Sequence, residues 1–230
     1  MLPDIHIDPE LLARYPQTRL GCLAHMVSVE ASREDLQRHL GEVTAPFLRQ
    51  MLEATPLAEI PNLAESRAAY KAFGKDPGRY RISSEALYRR IRQGKELYRI
   101  NSVVDANNLA SLETGFSIGS YDLNAISGDI VLRLGREGEA YTGIGKDSID
   151  LCRLPLLADE QGPFGGATSD STRAMISGST SACLTVIYGF STPDKLEETL
   201  ALTAHYFAAY TESRPIVSPF VVEGALPQAR

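Results

Sequence analysis

The sequence predicts an α+β fold, with mixed or antiparallel sheets and helices packed outside them. Two observations predict it. Apolar residues recur at three- and four-residue steps through the middle of the chain and again near its end, the period of helices. Short runs with a period of two appear near the N-terminus and cluster after Asp122, the period of strands. Helices grouped in one region and strands in another suit segregated sheets and helices. No tandem repeat is present.

Asp4 to Asp8 reads as a short strand, and Pro9 opens the helical turn that follows. Leu20 to Glu30 reads as a buried strand. Ser32 is the expected cap of a long helix carrying Leu36, Leu40, Val43, Phe47, Leu48, Met51 and Leu52 as one apolar stripe. Pro46 lies inside it and is expected to kink or divide it. Leu63 to Phe73 is helical, with Gly74 as its stop. Lys75-Asp76-Pro77-Gly78 is a turn, with Gly78 expected to supply the reversed backbone. Ser83 or Ser84 is expected to cap a helix that stops at Gly94. Asn101 or Ser102 starts another, which ends at Gly115.

Gly128 to Gly145 reads as two strands around a glycine turn, and Leu154 to Ala158 as a further strand. Asp159 to Thr172 reads as a long loop rich in Gly, Ser and Asp, a kind of loop that is often functional. Met175-Ile176 and Ala182 to Tyr188 are strand-like. Thr192 or Asp194 caps a last helix with Leu196, Leu200, Ala204 and Phe207 buried. Arg214 to Arg230 reads as an extended tail. The expected organisation is one domain over 1–230, with 1–63 as a strand–helix extension packed on it.

Charge is unevenly placed. The formal net charge is −6. Yet Arg67, Lys71, Lys75, Arg79, Arg81, Arg89, Arg90, Arg92, Lys95 and Arg99 meet only Asp76, Glu85 and Glu96 across the same stretch. A basic face on an acidic body suggests an anionic partner met on one side, of which phosphodiester is the commonest. A solvated helix face with arginine stems covering core is the plainer alternative. A sequence pI near 5.3 argues against a general nucleic-acid coat protein. No apolar run reaches the length of a membrane span, and the start has no secretory pattern. Cys22, Cys152 and Cys183 read as buried thiols of a reducing compartment, so a cytoplasmic location is expected. The four histidines have no metal-ligand spacing, and neither metal nor cofactor is expected.

There is no nucleophile elbow, P-loop or dinucleotide fingerprint. The stretch GPFGGATSDSTR gathers glycines, hydroxyls, Asp170 and Arg173, a composition suited to cradling a carboxylate, phosphate or ribose, or to a plain surface loop. Asn107 and Asn108 need partners on a partly buried helix. They either tie down neighbouring backbone or line a polar pocket. Asp122, Glu113 and Asp170 could act as bases, but no histidine neighbours them. Hydrolysis would have to use water held by backbone groups or the substrate's own hydroxyl. The residues name no catalytic group.

The stretch VDANNLASLETGFSIGSYDL, with YKAFGKDPGRYRISSEAL before it and GPFGGATSDSTRAMI after it, resembles the editing and tRNA-binding domain of the phenylalanyl-tRNA synthetase beta subunit and its free-standing relatives. The resemblance covers about Glu65 to Tyr188. It implies a β-sandwich-like core of unusual topology and hydrolysis of misacylated tRNA. Asp105, Asn108, Glu113, Gly115, Tyr121 and Asp122 match its motif, and Gly165-Gly166 its glycine pair. Its editing histidine falls on Gly119 and its editing glutamate on Gly178. A pocket of Asn107, Asn108, Glu113, Gly119, Tyr121, Asp122, Gly165, Ser169, Asp170, Ser171, Arg173 and Gly178 is therefore expected, enlarged by two glycines. Lys71, Lys75, Arg79, Arg81, Arg89 and Arg90 are expected to hold tRNA.

The partner expected is tRNA or aminoacyl-tRNA, with neither DNA nor membrane. The leading reading is a tRNA-binding protein related to editing domains, with deacylation in trans as its possible activity. The alternative is a non-catalytic descendant that binds an amino acid or nucleotide.

Overall fold

The computed structural model describes residues 2–224. The elements run β1 (Ile5–Ile7), α1 (Pro9–Arg14), β2 (Arg19–Ser28), α2 (Glu34–Arg38), a π-helical segment (His39–Thr44), α3 (Ala45–Ala54), α4 (Pro61–Ala72), α5 (Ser83–Arg92), α6 (Ser102–Thr114) and β3 (Ser117–Asp122). They continue with β4 (Ile130–Leu134), β5 (Ala140–Thr142), β6 (Ser148–Asp150), β7 (Pro155–Asp159), β8 (Gly162–Gly166), β9 (Ala182–Gly189), α7 (Pro193–Tyr210), β10 (Glu212–Pro215) and β11 (Phe220–Glu223).

The α+β class holds. One sheet has the order β1-β4-β7-β8, with β1 parallel to β4 and the other pairs antiparallel. A second has the order β10-β2-β9-β3, and β11 pairs with β2 beyond β10. A small β5–β6 ribbon stands apart. The two larger sheets meet where Tyr121 of β3 packs edge-on against Phe164 of β8, ring centroids 5.1 Å apart. Their apolar faces share one core with the helices, running from Ile7 through Tyr70, Leu109 and Ile118 to Phe207. Residues 1–63 supply β1 and the interior strand β2 to these sheets.

Helix α6 organises the site. Asn101 caps it by accepting from the Val104 amide at 2.9 Å, and Gly115 closes it at φ 78°, where a side chain would be strained. It is buried on most sides, so its polar residues must find partners. Asp105 accepts hydrogen bonds from Ser32 and Gln37 and from the Ile100 amide. It ties α2 and the strand-like lead-in of α6 together. Burial raises its pKa despite these bonds. That is a structural use of the motif aspartate.

Several local expectations are corrected. The long helix after Ser32 is three pieces, and the π-helical segment ends at Thr44, just before α3, whose first turn holds Pro46. Val43 and Phe47 consequently point outward, at 59% and 66% exposure. Ser32 does not cap; its hydroxyl goes to Asp105. Ser83 and Ser84 lie inside α5 rather than before it, and Ser84 bonds Ser117 of β3.

Gly78 needs no reversed backbone, because the Asp76 carboxylate closes the turn on the Gly78 amide at 2.8 Å. The two strands read in 128–145 do not pair with each other. β4 joins β1 and β7, while β5 joins β6. The expected 159–172 loop is interrupted by β8, and its first residue, Asp159, ends β7. Met175 makes only an isolated bridge to Tyr121. The tail is paired on β2 as β10 and β11, and its residues 225–230 lie outside the described residues. Among the described residues no helix is long and apolar enough to cross a membrane. Cys22 and Cys183 are buried, and burial pushes their thiols up to about 12; Cys152 is half-buried, not buried as expected.

Candidate functional site

A cavity of about 940 Å³ opens between α5, α6, β3 and the segments around residues 144–146 and 168–176. That size is within the range of small-molecule and cofactor sites. Its charge is layered. Arg81, Arg89, Arg90, Lys95 and Lys146 line it, against the single carboxylate of Asp170. Its apolar lining includes Leu87, Val104, Ile118 and Ile176, with Tyr98, Ile100, Ile144 and Met175 largely exposed at the mouth.

Each wall has a local cause. α5 presents its arginines because Tyr88 and Ile91 face the core. Glu85, only 1% exposed, is held by Arg67 at 2.9 Å and by Arg89 at 2.8 Å. A buried carboxylate needs such partners, so much of the charge of Arg67 and Arg89 is already engaged. Arg90 stacks over Tyr98, 3.7 Å from the ring centroid. On α6, Asn107 is fully used. Its amide nitrogen donates to the Ile118 carbonyl at 2.9 Å, and its oxygen accepts from Ser120 at 3.1 Å. Asn108 lines the cavity and makes no side-chain hydrogen bond among the described residues. The two asparagines thus divide the two roles between them.

The floor is a hydrogen-bonded chain. Tyr121 donates to Asp170 at 2.7 Å, and its oxygen lies 2.6 Å from the Tyr188 hydroxyl. Because Tyr121 spends its one proton on Asp170, Tyr188 must be the donor to Tyr121. The Gly166 amide also donates to Asp170, at 3.1 Å. Burial raises the Asp170 carboxyl to about 6 against these bonds and the nearby Lys146 charge. Burial, then the Asp170 charge, keeps both tyrosines well above their ordinary range.

The expected pocket residues separate in the structure. Asn107, Asn108, Gly119, Ser169 and Asp170 line the cavity. Tyr121 lies behind them and Gly165 lies against its ring; a Cβ at Gly165 would fall 2.3 Å from a ring carbon. Glu113 faces away, toward His39 at 3.1 Å, Thr44 and Tyr206. Asp122 accepts from the Asn124 amide and from Thr180. Ser171 accepts from the Arg173 amide, and Arg173 is spent on Asp159 and two carbonyls. Gly178 sits in an exposed turn rather than in a strand or on the cavity.

The enlargement expected from two glycines is also corrected. A Cβ on Gly119 would fall 2.2 Å from the Tyr121 oxygen, so that hydroxyl already occupies the space. Of the expected tRNA contacts, Arg81, Arg89 and Arg90 line the cavity, whereas Lys75 and Arg79 stack on Tyr80 away from it and Lys71 does not line it. Sequence reasoning missed Lys146, Tyr98 and Tyr188, and counted Lys95 only as part of the basic segment. No spacing links Lys146 or Tyr188 to the basic segment; the fold alone brings them there.

Residues 65–224 match the B3/4 domain family. The chain belongs to that family. The B3/4 domain here is also similar to the crystal structure of an N-terminal fragment of the phenylalanyl-tRNA synthetase beta-subunit from Pyrococcus horikoshii, at 14% identity and a TM-score of 0.43. That similarity covers 95% of this chain and 50% of that one, so this chain spans about half the length of the fragment. No curated protein sequence matches it.

Proposed function

We propose that this B3/4 domain is tRNA-directed and receives the acceptor end of an aminoacyl-tRNA in its cavity. The observation that carries the reading is the charge layering: five cations at one cavity with a single carboxylate at its floor. Phosphates would be held by Arg81, Arg90, Lys95 and Lys146. Tyr98, 63% exposed and backed by Arg90, offers a face on which a base can stack. The apolar wall and Asn108 would enclose the aminoacyl group. The family relation supports the same substrate class.

Deacylation of a misacylated tRNA is the activity this placement suits. Among the described residues no histidine lines the cavity. The attacking water would have to be oriented by backbone groups, by Asp170 or by the terminal ribose hydroxyl.

The test is equilibrium tRNA binding across a salt series, with Arg81→Glu and Arg90→Glu as variants, followed by single-turnover deacylation against a panel of correctly and incorrectly charged tRNAs. Affinity that falls steeply with salt and is weakened by both variants supports the reading. Affinity indifferent to both sinks it. The second reading, a small-molecule site for an amino acid or nucleotide, is favoured by the cavity's volume and apolar wall. It predicts a thermal shift with a free ligand and no tRNA binding.

A further inference from the structure

The Asp170 carboxylate is placed for a use that the tRNA reading alone does not assign. Both of its described hydrogen bonds, from Tyr121 and from the Gly166 amide, fall on Oδ1. Oδ2 receives none among the described residues, and the residue lines the cavity. Its orientation is fixed from behind. The Tyr121 ring is clamped, since a Cβ at Gly119 or at Gly165 would overlap it, and Tyr188 holds its hydroxyl. A carboxylate fixed from behind, with one free oxygen at a cavity where Lys146 is its nearby counter-charge, is a good receptor for a hydrogen-bonding cation and a poor one for an anion. Asn108, unengaged on the facing helix, supplies a further acceptor. Among the described residues no group of three or more His, Cys, Asp or Glu side chains could hold a metal ion.

We propose that Asp170 binds a ligand ammonium group, so that the cavity selects a molecule with a free amine at its floor and phosphate at its mouth. Under the function proposed above, on which this rests, that group is the unblocked α-amino group of an aminoacyl-tRNA. N-blocked aminoacyl-tRNA and uncharged tRNA then lack the floor contact.

The test compares three forms of one tRNA: an amide-linked aminoacyl analogue that cannot be hydrolysed, the same analogue acetylated on its amine, and the uncharged tRNA. Each is titrated against the full chain and against Asp170→Asn, whose folding is checked by circular dichroism. The free-amine form is expected to bind ~10-fold or more tighter than the acetylated form. Asp170→Asn is expected to bring the free-amine form down to the acetylated level. Equal binding of the two analogues by the native chain overturns the proposal and leaves tRNA binding standing, and that comparison decides even where the variant does not fold. A preference that survives in Asp170→Asn overturns it too. If none of the three RNAs binds, the tRNA reading fails and this inference falls with it.

Discussion

Tyr121 lies between two glycines, and its hydroxyl occupies the space a side chain at position 119 would need. Gly119→Ala should therefore force the ring to move, at a cost of ~1–3 kcal/mol in urea unfolding, and Gly165→Ala should behave alike. Neither loss is expected at Gly178, where nothing lies within 4 Å of an added Cβ and the backbone is not in the left-handed region.

Asp170 makes a second prediction, with a definite sign. Burial raises its folded pKa to about 6, above the ordinary 3.8 of the unfolded chain, so the folded chain holds the proton more tightly than the unfolded one. The ionised carboxylate therefore costs stability above about pH 6, and that cost fades as pH falls through 6 toward 3.8. Asp170→Asn should stabilise the protein by ~1–3 kcal/mol near pH 8 and give no gain near pH 4, as read by thermal melts. A stabilising substitution at a cavity carboxylate is the expected mark of a residue kept for binding.

At this scale the sequence was only partly legible. Asp170 and Asn108 stood out as polar groups in glycine-rich or helical settings. Tyr188 did not, because in an apolar strand a tyrosine reads as core, and only the pairing of β3 with β9 places it beside Tyr121. Glu113 and Asp122 matched a motif, but their side chains are engaged on other faces of the fold.

Among the elements, α6 was the most legible, since Asn101 and Gly115 carry local chemistry that fixes both ends. Asn101→Ala should cost ~1 kcal/mol through the lost cap at Val104. β8 was the least legible. Its sequence, Gly-Pro-Phe-Gly-Gly, has poor strand propensity and is held as a strand by pairing with β7 and by the close approach of Tyr121. The tail failed for the same reason: β10 and β11 are made by the exposed edge of β2, a partner nearly two hundred residues away that no local pattern reveals. The π-helical segment shows in the sequence only as a proline inside a helical stripe, a signal that predicts a break without saying how the extra residue is absorbed. α5 draws much of its order from the Glu85 ion pairs. Glu85→Ala leaves Arg67 and Arg89 without their carboxylate and should destabilise the chain by ~3 kcal/mol, checked by urea unfolding.

Across the whole molecule, an acidic chain gathers five of its 23 lysines and arginines at one cavity. The sequence showed the imbalance but not its geometry. Lys146 joins the basic segment through the fold, while Lys75 and Arg79 are turned onto Tyr80. The salt dependence of tRNA binding should reflect that sorting, with log affinity falling by ~0.7–0.9 per phosphate contact. The measurement that most directly tests whether the acceptor end enters the cavity is affinity for an intact tRNA against the same tRNA lacking its 3′-terminal adenosine. The account predicts that removing the adenosine weakens binding by ~10-fold or more, and that Tyr98→Ala weakens the intact tRNA selectively. Equal affinity for the two RNAs, unaffected by Tyr98→Ala, would contradict it.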